Sequence, residues 1–303
     1  MRLFHSDSLL TTSTNKQLIE GTIKGLWIRY TGTNQTGQTL TVANLGTVRV
    51  NVRGTDIVNV PVSFLSNMNN LFWGAAEASS TISAAFAFTV YVPFHAPWDS
   101  QNGIFVQIED NPYIQLNYSG VTGTIIASGT VEVYAVLANQ VARYIPLWNQ
   151  QNVQVGGAGR ATQRLQNFNI SSLFIETNAQ LTTVLVNKDN KSVISANQNV
   201  LLAKSNLENE VETSITTYEV CLNPFRRIEE AVASLIEVDF TLGATTTVVM
   251  YFLAFLFDDD MRMRSANYVA TLAPAVKAQP IALNPGQPTK TQLVQARVPL
   301  SSQ

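Results

Sequence analysis

Residues 85–94 read AFAFTVYVPF. Phe86, Phe88, Val90 and Val92 fall on one side of an extended chain, and Ala87, Thr89 and Tyr91 fall on the other. This period of two marks a β-strand with one face on a core. Pro93 ends the strand because it has no N–H to give to a ladder. A phrase of the same form, TYEVCLNPF, stands at 217–225. The two are read as equivalent strands of two related halves, and that reading decides the fold.

Working outward, two further pairs of anchors occur in the same order. Leu26-Trp27-Ile28 matches Leu173-Phe174-Ile175, and VEVYAVLA at 131–138 matches VVMYFLAF at 248–255, with Tyr134 on Tyr251. Between them, Val92-Pro93-Phe94 is matched with Leu222, Pro224 and Phe225 across one inserted residue. The first copy has the longer connections, as surface loops tolerate insertion. After Pro61, the spacing of Phe64, Leu65, Met68, Leu71 and Phe72 predicts a helix, and a helix-like segment runs from Val200 to Val211. Thr47 to Arg53 alternates cleanly, with Val48, Val50 and Val52 inward. Further strands are expected at 40–42, 104–109, 113–118, 121–127, 129–138, 182–186 and 231–241, and Asn102-Gly103 reads as a hairpin turn. The run VVMYFLAFLF at 248–257 is too short for a transmembrane helix and reads as a strand buried on both faces.

With about eight short strands and one small helix per copy and no βαβ alternation, each copy reads as a jelly roll. The expected fold is all-β: two tandem eight-stranded jelly rolls, a double jelly roll with short helices and extended terminal arms. The expected divisions are an N-terminal arm at 1–18, the first roll at 19–147, a polar glycine-bearing linker at 148–163, the second roll at 164–257 and a proline-rich C-terminal arm at 258–303.

Charged residues make up only 13% of the chain and the formal net charge is −2. That excludes a strongly basic nucleic-acid binder, and it implies a surface of neutral polar groups or one buried against other subunits. The single cysteine, Cys221, allows no intrachain disulfide and reads as a small buried hydrophobe. The N-terminus lacks a long apolar segment, so no secretory signal is expected.

The layout from about residue 19 to 257, with its arms, resembles the double jelly-roll major capsid proteins of tailless icosahedral viruses, in particular small phages with an internal lipid membrane. The resemblance is one of architecture and carries no short diagnostic motif. It implies a homotrimer whose six jelly rolls form a pseudo-hexagonal tile, with strands upright to the shell. Implied partners are neighbouring capsomers, penton and minor capsid proteins, and an internal membrane touched by the terminal arms, with no specific nucleic acid. The implied location is the virion, assembled in the host cytoplasm.

Sites for chemistry are sparse, and neither an enzyme activity nor a cofactor is expected. A tandem jelly-roll metalloenzyme of the bicupin type needs clustered histidines, whereas His5 and His95 are far apart in sequence. His95 has Asp99 four residues on, a pairing usually only solvated in a loop. Asp258, Asp259 and Asp260 form a weak Ca²⁺ candidate, better read as a charged strand stop because Ca²⁺ takes six to eight oxygens. Gly156-Gly157-Ala158-Gly159 lacks the ending of a phosphate loop. Arg226-Arg227 before Glu229-Glu230 reads as a surface charge cluster. Tyr91, Trp98, Tyr113 and Tyr118 would line a sugar surface if the chain were a carbohydrate-binding module or viral spike, but are more often core or subunit contacts. Trp27, Phe88, Phe94, Phe225, Tyr251 and Phe255 are expected in the core.

Overall fold

The alternation at 85–94 holds in three dimensions: Phe86, Phe88, Val90 and Val92 are buried in one hydrophobic cluster, while Ala85 and Ala87 are exposed. The computed structural model describes residues 1–9, 13–73, 77–80, 82–99, 101–118, 124–155, 159–166, 170–176, 181–188, 190–209, 217–221, 235–243 and 246–257. Its elements are β1 (Arg2–Ser8), β2 (Ser13–Gln17), β3 (Gly21–Asn34), β4 (Thr47–Val52), β5 (Thr55–Pro61), α1 (Val62–Trp73), β6 (Glu77–Ser80), β7 (Ala85–Pro93), β8 (Asn102–Val106), β9 (Tyr113–Asn117), β10 (Ile126–Leu137) and β11 (Gln140–Val141). There follow β12 (Tyr144–Val155), β13 (Gly159–Gln166), β14 (Ile170–Glu176), β15 (Leu181–Lys188), β16 (Lys191–Ala196), α2 (Gln198–Asn209), β17 (Thr217–Cys221), β18 (Leu235–Leu242) and β19 (Thr246–Phe257). Short 3-10 turns lie at Val42–Leu45 and Ile108–Asp110.

Strand order repeats. One sheet runs β1-β10-β3-β7, and a second runs β5-β4-β9-β2. The later half gives β12-β19-β14-β17 and β13-β18-β15-β16. Taken in chain order, the eight strands β1 to β5, β7, β9 and β10 occupy the places of β12 to β19. Each set is two four-stranded layers with the first strand beside the last, the jelly-roll path. The fold is therefore a double jelly roll. Among the described residues, β6, β8 and β11 lie in the first copy's longer connections and have no counterparts in the second.

The registers confirm two anchors to the residue. Trp27 lies opposite Tyr134 in β3–β10, and Phe174 lies opposite Tyr251 in β14–β19. The third anchor shifts. Leu26 faces Val92, and Leu173 faces Val220, so Val92 corresponds to Val220 and not to Leu222. The prolines are thus not equivalent by register, and Leu222 to Phe225 lie outside the described residues.

Two expected divisions are corrected. Residues 1–18, expected as an arm, form β1 and β2, antiparallel to β10 and β9. Residues 148–163, expected as a linker, lie largely in β12 and β13, and β12 pairs with β19 along its whole length. These polar stretches are the same two strands of the two copies. They are held by backbone hydrogen bonds to apolar neighbours, which leave no hydrophobic period of their own. Asn102-Gly103 opens β8 and makes no hairpin turn. Instead, a Cβ on Gly103 would sit 2.5 Å from the Ile23 carbonyl oxygen, so glycine permits a close strand approach. Residues 40–42 are not a strand, the stretch at 129–138 and the end of that at 121–127 merge in the single strand β10, with 121–123 outside the described residues, and Pro61 ends β5 before α1 begins.

β19 is buried on both faces. Val248, Met250, Phe252 and Ala254 enter the second copy's core, while Tyr251, Leu253 and Phe255 join the larger cluster of the first. Part of the second face is covered by α1, while Trp98 and Tyr144 meet Phe255 at its end. Phe64 stacks on Tyr251 with ring centroids 3.9 Å apart and meets Phe174 edge-on at 5.5 Å, and Phe72 meets Phe174 at 6.0 Å. A parallel bridge from Trp148 to Val58 joins β12 to β5, so an eight-stranded sheet runs through both copies.

Replacing Phe64 with Ala removes this shared ring and leaves a cavity between the copies. The expected cost is about 3–5 kcal/mol, read as a lowered urea midpoint. A loss under about 1 kcal/mol would mean that the copies do not depend on this layer.

Candidate assembly surface

Among the described residues, no helix of the second copy lies on the matching sheet face of the first copy. In β3, Leu26 and Ile28 point to the core, which turns Trp27 outward. In β10, Val133 and Ala135 are buried, which turns Tyr134 and Val136 outward. Trp27, Tyr134 and Val136 are half-buried. Trp27, expected in the core, is therefore a face residue, whereas Phe88, Phe94, Tyr251 and Phe255 are core as expected. Phe225 lies outside the described residues.

Trp27, Val136 and Lys24 line a hollow of about 320 Å³ that is closed by Tyr91 of β7, Asn69 and Trp73 of α1, and His95. Trp27 and Tyr91 meet at a tilt with centroids 5.0 Å apart, and Trp73 meets Tyr91 edge-on at 5.4 Å. Gly25 lets Tyr91 cross β3, because a Cβ there would lie 2.5 Å from the Tyr91 hydroxyl. Asn69 fixes the helix to β7, accepting from the Tyr91 N–H at 2.6 Å and donating to the Tyr91 carbonyl at 2.9 Å. Sequence reasoning missed Asn69 and Trp73. The available signal was one amide on an otherwise apolar helix stripe.

His95 is not solvated; it is 1% exposed. Its Nδ1 lies 2.6 Å from the Ala96 carbonyl, which only accepts, so Nδ1 carries the proton and Nε2 accepts from the Tyr91 hydroxyl at 3.0 Å. Burial holds the imidazole below its usual range, with the nearby Lys24 charge adding to the effect; the Ala96 bond and Asp99 oppose them. Burial pushes the Tyr91 hydroxyl above its usual range. Asp99 accepts from Asn102 and from the Tyr144 hydroxyl at 2.6 Å. The arrangement buries aromatic surface around a neutral imidazole whose two nitrogens are both engaged, so neither is free to act as a base.

The other sequence candidates are scattered. His5 is buried in β1, with Nε2 3.8 Å from Asp7. Tyr118 is fully buried, 2.6 Å from the Thr14 hydroxyl, Tyr113 lies beneath Arg49, and Trp98 packs against Phe255. They share no sugar platform. Gly159 opens β13 and Cys221 ends β17. Gly156 to Ala158, Arg226, Arg227, Glu229, Glu230 and Asp258 to Asp260 lie outside the described residues, as does the side chain of Cys221. Among the described residues, no group of three or more His, Cys, Asp or Glu is placed to hold a metal, and no helix is long and apolar enough to cross a membrane.

Solved structures share this fold. The major capsid protein of bacteriophage PM2 has a TM-score of 0.56 at 11% identity, over 84% of this chain and 96% of that one. VP54 of PBCV-1 has a TM-score of 0.56 at 10% identity, over 84% of this chain and 92% of that one. The Faustovirus major capsid protein has a TM-score of 0.53 at 6% identity, over 83% of this chain and 88% of that one. At such identities the likeness is one of fold. No protein-family model matches the sequence, and neither does any curated protein.

Both histidines are held below the ordinary value of 6.5 by burial. The unfolded chain therefore binds their protons first as pH falls. Stability is full above 6.5 and declines below it, until the folded pKa values are passed. His95→Gln should flatten part of that acid limb in melting temperature measured from pH 7 to pH 5. An unchanged limb would show that His95 does not titrate on unfolding.

Proposed function

We propose that this chain is the major capsid protein of a tailless icosahedral virus, a structural subunit that forms a homotrimer and tiles the virion shell. The observation that carries the reading is the pair of complete eight-stranded rolls fused through one sheet, the fold of the capsid proteins above. Two similar rolls in one chain let three copies approximate sixfold packing. The low charge supports it, because broad subunit interfaces exclude charged side chains from their centres. The rolls divide between β11 and β12, which gives each its own first strand. Residues 258–303 serve as the arm toward neighbouring capsomers, penton and minor capsid proteins, or an underlying membrane.

Light scattering on the purified protein should give three times the 33.2 kDa subunit mass, and electron microscopy a pseudo-hexagonal outline. A chain that stays monomeric at high concentration and binds glycans would overturn the reading. Removing residues 258–303 should leave the melting temperature nearly unchanged while shell assembly fails. If the truncated chain unfolds instead, the segment belongs to the subunit fold and not to an arm.

A further inference from the structure

The two copies treat equivalent faces differently. In the second copy, Phe174 and Tyr251 are covered by α1, Leu253 lies in the same hydrophobic cluster, and each is less than one-twentieth exposed. Registers place Trp27, Tyr134 and Val136 at the same positions of the first copy, where all three remain half-buried and Trp27 and Val136 line the hollow.

The helices show the reciprocal difference. Both α1 and α2 have 12 residues and precede the same strand of their copies. The fourth residue of each, Leu65 and Leu201, is fully buried in its own roll. The third residue of α1 is Phe64, which is buried against the second copy, and the third of α2 is Val200, which is 53% exposed. The tenth is Leu71, buried in α1, and Leu207, 81% exposed in α2. So, among the described residues, one face has no helix of the other roll on it, and one helix has no sheet of the other roll beneath its exposed side.

We infer that α2 of a second copy of this chain seats on the β3–β7–β10 face, with Val200 entering the hollow beside Trp27 and Val136 as Phe64 meets Phe174 and Tyr251 within the chain. The contact is head to tail, from the second roll of one subunit to the first roll of the next, and such contacts form a ring when the rotation closes. Within the chain, the α1 contact already supplies the template. The inference rests on the proposed assembly role and adds which surfaces meet.

The test uses full-length protein with Cys221→Ser, so that Val136→Cys and Val200→Cys carry the only thiols. A short bismaleimide should link assembled chains into dimers and trimers on a denaturing gel, and neither single-cysteine variant should do so. Separately, Val200→Glu should weaken trimer formation by about tenfold or more, because it places a charge in an apolar contact, with the monomer's circular dichroism unchanged. Val193→Glu, on the exposed side of β16, should leave trimers intact. Trimers that form normally with Val200→Glu and give no interchain link overturn the assigned face but leave the capsid reading standing. A wild-type chain that never trimerises overturns both.

Discussion

The ring of Phe64 lies flat on Tyr251, and most of the architecture depends on that contact. It makes a helix of the first roll part of the second roll's cover. It explains why β19 has almost no polar position over ten residues: one face serves its own core and the other serves the neighbouring roll. Nearby, Glu176 is held above the usual carboxylate range by burial, partly offset by a bond from the Tyr251 hydroxyl. The same layer that fixes the rolls also fixes the hydroxyl of its central tyrosine.

The two rolls finish their polar groups with different side chains. In the first, Asn69 satisfies the backbone of Tyr91, and Asn51 donates to Asp56, which is also paired with Arg49. In the second, Asp239 is held below its usual range by the Thr162 hydroxyl and the Arg160 guanidinium, despite opposing desolvation. Neutral amides and hydroxyls work beside the ion pairs: Asn51 shares Asp56 with Arg49, and Thr162 shares Asp239 with Arg160. Buried polar groups of this kind restrict how the strands can register, because a slip would leave them without partners.

Legibility followed hydrophobic period. β7, β4, β14 and β19 could be read because alternate or continuous apolar side chains face a core. The helices showed as stripes, and the duplication emerged from Trp27, Phe174, Tyr134 and Tyr251. β1, β2, β12 and β13 escaped because their identity lies in backbone pairing with an apolar neighbour, which leaves stretches such as STNKQ and GRATQRLQ free to be polar. β5 and β16 escaped because each is a short strand leading into a helix. The hollow was legible only as single aromatics. That Trp27 faces outward follows from what sits on its equivalent, and a linear sequence does not show a covering element that comes from another roll.

The pairing of first strand with last sets a schedule for folding. β1 waits for β10, whose partner residues lie more than a hundred positions later, and β12 waits for β19 across a similar distance. Loops of that length close slowly, so neither roll completes its first sheet until its final strand has left the ribosome. During synthesis, β10 finishes the first roll while β12 has only its short bridge to β5. Of the described strands, the long apolar β19 is made last, and it pairs with β12 on one side and β14 on the other. An edge this hydrophobic would invite intermolecular pairing if it were left exposed. Its place between β12 and β14 leaves it no free edge in the folded chain.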